Sequence, residues 1–153
     1  WVEYIIQDGH EGVIIRDPHA PYKFGRSTYR EQALLKYKPV QDSDAIIIDS
    51  SALQVNTNPL QTSELGYAKR SSCKSGMVDT SFLGAWKVMN CDPNDPFYNK
   101  VFSIGSGFTE RQRREFWLKR ETLKGKKIAY KYQLIGSKEL PRTPIFLAFK
   151  ENI

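Results

Sequence analysis

Long apolar runs are missing: nothing in the 153 residues approaches the roughly 18 consecutive apolar positions of a membrane-spanning helix, and mean hydropathy is −0.52. Cysteine is scarce. Cys73 and Cys91 are far apart, and His10 and His19 lie well upstream of both, so no zinc-ligand spacing exists. Reduced thiols in an intracellular protein are the simplest reading of the pair. The first residues, Trp1-Val2-Glu3-Tyr4-Ile5-Ile6, include no initiator Met, basic n-region or small-residue cleavage site. They predict a sequence that starts inside a longer polypeptide. No Lys-x-Asp-Gly is found anywhere.

What the sequence has in excess is positive charge. The net charge of +6 and pI near 9.3 favour polyanionic partners, although charge says nothing of fold. The surplus is uneven. Arg111, Arg113, Arg114, Lys119, Arg120, Lys124, Lys126, Lys127 and Lys131 face only Glu110, Glu115 and Glu121. That stretch reads as a phosphate-contacting patch, with Arg111 and Arg114 as its DNA-binding candidates, against the blander reading of a solvated surface.

Strand signals come early. Val13-Ile14-Ile15 is β-branched and bounded by Gly12 and Asp17-Pro18; Leu34 to Lys38 is a second strand, ended by Pro39. Asp42-Ser43-Asp44 is a turn before the strand opened by Ala45-Ile46-Ile47-Ile48, so a domain boundary is expected at residues 41–42. From Gln54 to Thr80 apolar periodicity disappears, which predicts a long structureless insertion, mobile until it binds. Gly84 to Met89 and Lys100 to Ile104 then form a hairpin across an Asp-Pro-rich turn. Thr109 with Gln112 makes a capping box for a helix that ends near Gly125, its buried face supplied by Phe116, Trp117 and Leu123. Lys127 to Ile135 and Ile145 to Phe149 complete five strands, with Pro141 and Pro144 holding the last at an edge. This order predicts a mainly β protein: a five-stranded OB-fold Greek-key barrel with one helix. Residues 1–41 precede it as strands of another domain, and residues 42–153 form the OB domain with its insertion at 54–80.

Glu11-Gly12-Val13-Ile14-Ile15-Arg16 alone is ordinary strand sequence. It is followed by Tyr22, Gly25-Arg26-Ser27, Leu35-Lys36-Tyr37-Lys38, Gly84-Ala85, Ile104 to Phe108 and Pro141-Arg142-Thr143-Pro144-Ile145-Phe146. In that order the chain resembles the C-terminal part of ATP-dependent DNA ligases, most closely the minimal viral type. The resemblance implies that Glu11 and its strand are motif IV, that Lys36 and Lys38 are motif V, and that Arg142 begins motif VI. Glu11 is then a carboxylate for a magnesium or manganese ion. Lys36 and Lys38, two apart on one strand face, clamp the adenylate phosphate as catalytic and cofactor-binding groups, with Arg142 and Lys150 beside them.

Arg26 falls where the family grips the 5′ phosphate of a nick, and Arg16 closes the same loop; the plainer alternative is that either pairs with Asp17 or Glu31. The insertion, with Lys69, Arg70 and Lys74, stands where minimal viral ligases carry a DNA-closing hairpin. Tyr67 and Trp86 are given no catalytic role, since strand aromatics usually belong to the core. ATP as AMP donor and nicked double-stranded DNA are the implied cofactor and partner, for a monomer. The acceptor lysine is absent from this sequence, so the chain alone is expected to be inactive. Motif VI departs from the family: Lys150 replaces a common arginine, and Glu151-Asn152-Ile153 lacks the acidic-basic tail. An RNA ligase or capping enzyme shares the Glu-Gly and Lys-x-Lys elements; a non-enzymatic single-strand-binding OB module leaves their spacing unexplained.

Overall fold

The computed structural model describes residues 1–150, so the tail at 151–153 lies outside the described residues. In chain order the elements are α1 (Val2–Gln7), β1 (Val13–Arg16), β2 (Leu34–Tyr37), β3 (Gln41–Asn56), β4 (Leu60–Thr62), β5 (Ala68–Arg70), a 3-10 turn at Lys74–Gly76, and β6 (Met77–Asn90). They continue with β7 (Val101–Ile104), α2 (Glu110–Leu118), α3 (Arg120–Leu123), β8 (Lys127–Gln133) and β9 (Arg142–Phe149). Helix α1 buries none of its residues.

β1 and β2 pair antiparallel as a separate ribbon, Val13 opposite Tyr37 and Arg16 opposite Leu34. The remaining long strands form one sheet in the order β7-β6-β3-β8-β9. A parallel bridge between Ser106 and Ile145 joins its two ends, with Phe146 N donating to Ser106 O at 2.9 Å, and the sheet closes into a barrel. This is the OB topology. Gly107 makes that seam possible: its φ is +94° and a Cβ there would run into the Phe146 backbone.

Trp86 fills the barrel. It is fully buried, stacks on Phe116 at 5.1 Å and meets Phe108, Phe146 and Phe149 edge-on. Around it Ile47, Leu83, Val88, Ile104 and Ile128 alternate inward from their strands. A polar layer closes one end, where buried Asn90 donates to Tyr130 Oη at 2.9 Å and to Ser43 Oγ. Tyr132 donates to Asp95 at 2.9 Å, fixing the turn that precedes β7. Burial pushes the Tyr130 hydroxyl up to about 12.

The expected helix starts at its predicted cap, since Gln112 N donates to Thr109 Oγ1 at 3.2 Å and the Gln112 side chain returns to Thr109 N. The insertion at 54–80 is not structureless, which corrects the sequence expectation. β3 and β6 stay paired out to Asn56 and Met77, well past the barrel, and β4 and β5 form a second hairpin beyond them. Most of this extension is exposed on both faces, so no alternation of apolar and polar residues marks it.

Candidate phosphate-binding site

Register in the first ribbon decides what the loop between its strands can gather. Ile14 lies opposite Lys36 and Ile15 opposite Leu35. The loop folds over this surface and encloses a groove of about 920 Å³ whose lining includes Arg16, Arg26, Lys36, Tyr22 and Tyr29. Arg16 lies 5.2 Å over the Tyr22 ring. The nearby acids Glu31 and Asp17 have other partners. Glu31 accepts from Lys23 at 2.6 Å and from Thr28 N at 3.0 Å, and these donors, Lys23 first, draw its carboxyl down to about 2. Asp17 accepts from His19 N at 2.9 Å. Among the described residues Arg16, Arg26 and Lys36 make no ion pair, so three cations share one open groove.

Lys38 stands apart from that groove. It lies just past the end of β2, and its ammonium donates to Glu11. Glu11 also meets Arg142 Nη1 at 3.2 Å, which joins the ribbon to the first residue of β9. Gly12 allows the approach, because a Cβ there would strike the Tyr37 carbonyl and crowd Lys38. Hydrogen bonding from Lys38, and then the Arg142 charge, hold the Glu11 carboxyl below its usual range.

Among the described residues no group of three or more His, Cys, Asp or Glu converges. A single carboxylate already shared by two cations does not fit a divalent ion with residues of this chain alone.

Lys150 is not brought to this cluster. It pairs with Asp44 at 2.6 Å, beside Lys127 at 3.0 Å. Burial alone would raise the Asp44 carboxyl, but the two lysines outweigh it and hold it low. Arg142 opens β9 and Lys150 directly follows its last residue, so the length of the strand lies between them and their acidic partners differ.

The basic stretch around α2 is less free than its composition suggests. Arg113 donates to the carbonyls of Leu83, Gly84 and Gly105 at 2.7 to 2.9 Å and so ties the helix to the barrel. Lys119 pairs with Glu115, Lys124 with Glu121 and Asp49, and Arg120 covers Trp117. Arg111 and Arg114 stay exposed, beside Phe82 and Leu118. In the far hairpin Arg70 donates to the Asn58 carbonyl, whereas Lys69 and Lys74 are exposed. Tyr67 is exposed near the hairpin's tip, and Trp86 is core.

Sequence order did not reveal the Glu11–Arg142 contact or the structural use of Arg113. Two glycines were the available signals: Gly12, where a Cβ would strike the Tyr37 carbonyl, and Gly136, whose φ is +81° beside the Arg142 guanidinium.

Comparison with known proteins adds a family. Residues 80–150 match the DNA ligase OB-like domain family. The DNA ligase of Methanococcoides burtonii is 26% identical over 108 residues, covering 70% of this chain and 15% of that enzyme. The African swine fever virus DNA ligase is 39% identical over 44 residues, covering 29% of this chain and 10% of that protein. Among solved structures, the Chlorella virus DNA ligase-adenylate is 34% identical with a TM-score of 0.53, covering 98% of this chain and 45% of that one. The chain therefore spans less than half the length of each relative. Its fold and sequence are similar to the OB-fold C-terminal region of DNA ligases.

Proposed function

We propose that the protein to which this region belongs seals nicks in duplex DNA, using ATP to pass through enzyme-AMP and DNA-adenylate intermediates. The observation that carries this reading is the groove holding Arg16, Arg26 and Lys36, which make no ion pair among the described residues, in a chain that also carries an OB barrel.

Arg26 offers a planar fork of donors to a 5′ phosphate, which suits two phosphate oxygens better than a point charge does. Lys36 on its rigid strand neutralises charge as the adenylate phosphate is transferred. Lys38 and Arg142 form a second cationic pair, held ready by Glu11, for phosphates of the nucleotide. Residues 1–41 belong to the nucleotidyltransferase domain, and residues 42–153 grip the DNA. Arg111, Arg114, Lys69 and Lys74 contact its backbone outside the nick. No role above is routed through a divalent ion, because Glu11 is already shared by Lys38 and Arg142.

The test is a substrate comparison with the complete protein. Nicked duplex DNA with a 5′ phosphate should be sealed in the presence of ATP, and an equivalent nicked RNA should not. The present chain, which has no Lys-x-Asp-Gly, should take no label from labelled ATP. Preferential sealing of RNA, or a covalent AMP adduct on this chain alone, would refute the assignment.

A further inference from the structure

Thr143 has a φ of +49°, in the left-handed region that favours glycine. A β-branched residue is ill suited to it, and the following Pro144 restricts Thr143 further toward extended backbone. Its place in β9 gives the conformation a purpose.

Along β8, Ile128, Tyr130 and Tyr132 point into the barrel while Lys127, Ala129, Lys131 and Gln133 point out. Phe146 lies opposite Tyr130, and Ile145 opposite Lys131. Uninterrupted pairing would place Pro144 opposite Tyr132, Thr143 opposite Gln133, and Arg142 opposite Leu134, on the face that Tyr132 shares and just past the end of β8. Instead Arg142 lies opposite Gln133, on the outward face. One extra residue in β9 absorbs the difference, and a one-residue slip exchanges the faces of every side chain before it. The bulge is also pinned. Ser137 Oγ accepts from Arg142 N at 3.0 Å and donates to Gln133 O at 2.6 Å.

We propose that Thr143 is a positioning residue: as the inserted residue of this bulge, it turns Arg142 out of the barrel and onto Glu11, where the guanidinium is available to a nucleotide phosphate. That last use rests on the function proposed above, whereas the bulge itself does not.

Variants of the complete protein test it. Thr143→Gly keeps the extra residue and suits its backbone, so its unfolding midpoint should rise. Glycine in regular strand would lower it, and a fall would overturn the bulge. Deleting Thr143 should restore regular pairing and turn Arg142 inward. Enzyme-AMP formation should then drop on the order of 100-fold, as for Arg142→Ala, if Arg142 acts like other fixed charge stabilisers.

The combination of the deletion with Arg142→Ala should lose no more than either alone. Losses that multiply, or a deletion as active as the parent, would overturn the positioning role. If the deletion does not fold, the sign of the glycine shift decides. A parent protein that forms no adenylate would sink the proposed function, while the glycine shift would still judge the bulge.

Discussion

Removing the far hairpin offers the sharpest separation of DNA grip from fold. Asn56 and Met77 are the last paired residues of β3 and β6, so residues 57–76 can be replaced by a two-residue Asn-Gly turn without changing strand register. None of the deleted residues belongs to the hydrophobic core, so the barrel should unfold at nearly the same temperature. Three cations are removed, but Arg70 is engaged with the Asn58 carbonyl, which leaves Lys69 and Lys74 for phosphates.

Each neutralised phosphate contributes about 0.9 to the slope of log K against log salt for duplex DNA, so the slope should flatten by about 2. A fourfold rise in salt, from 50 to 200 mM, should then cost the variant roughly tenfold less of its affinity than it costs the parent. Anisotropy titrations of labelled nicked duplex with the complete protein, at four or five salt concentrations, measure this directly. An unchanged slope would mean that the hairpin lysines touch no phosphate. A collapsed barrel would mean that the hairpin is structural.

Other outcomes follow from the same geometry. Trp86→Ala empties the centre of the aromatic cluster and should destabilise the barrel by about 3–5 kcal/mol in chemical denaturation. Trp86→Phe should cost much less, because Trp86 Nε1 is buried with no partner and its loss removes an unmet donor. Lys36→Ala in the complete protein should slow single-turnover adenylyl transfer by about 2–4 kcal/mol, and an unchanged rate would demote Lys36 to a surface lysine. Buried Tyr130 ionises only near pH 12 in the fold but near 10 when unfolded, so its contribution is fully present below pH 10 and lost as pH rises toward 12. Tyr130→Phe should blunt that alkaline loss in unfolding curves taken between pH 9 and 12.

The strands of the barrel were legible because one face of each is buried: Ile128, Tyr130 and Tyr132 alternate with the less buried Lys127, Ala129, Lys131 and Gln133, and Thr109 with Gln112 marks the helix start. The ribbon at 49–56 and 77–83 was not, because a two-stranded extension with most of its residues in solvent needs no alternation. The resemblance named Arg16, Arg26 and Lys36 as candidates, and the structure gathers them in one groove. Spacing also grouped Lys38 with Lys36, but the end of β2 and the Glu11 contact divide them. Arg142 and Lys150, close in sequence, are held apart by an extended strand. Neither separation is visible without three-dimensional pairing.

The central claim, that the groove of Arg16, Arg26 and Lys36 holds the phosphates of a DNA nick, is tested most directly by comparing nicks with and without a 5′ phosphate. In equilibrium binding to the complete protein, the parent should prefer the phosphorylated nick, and Arg26→Ala should erase most of that preference, about 1.5–3 kcal/mol for a charge-assisted pair. If Arg26→Ala weakens both substrates equally and the preference survives, the groove does not read the nick phosphate and the account is wrong.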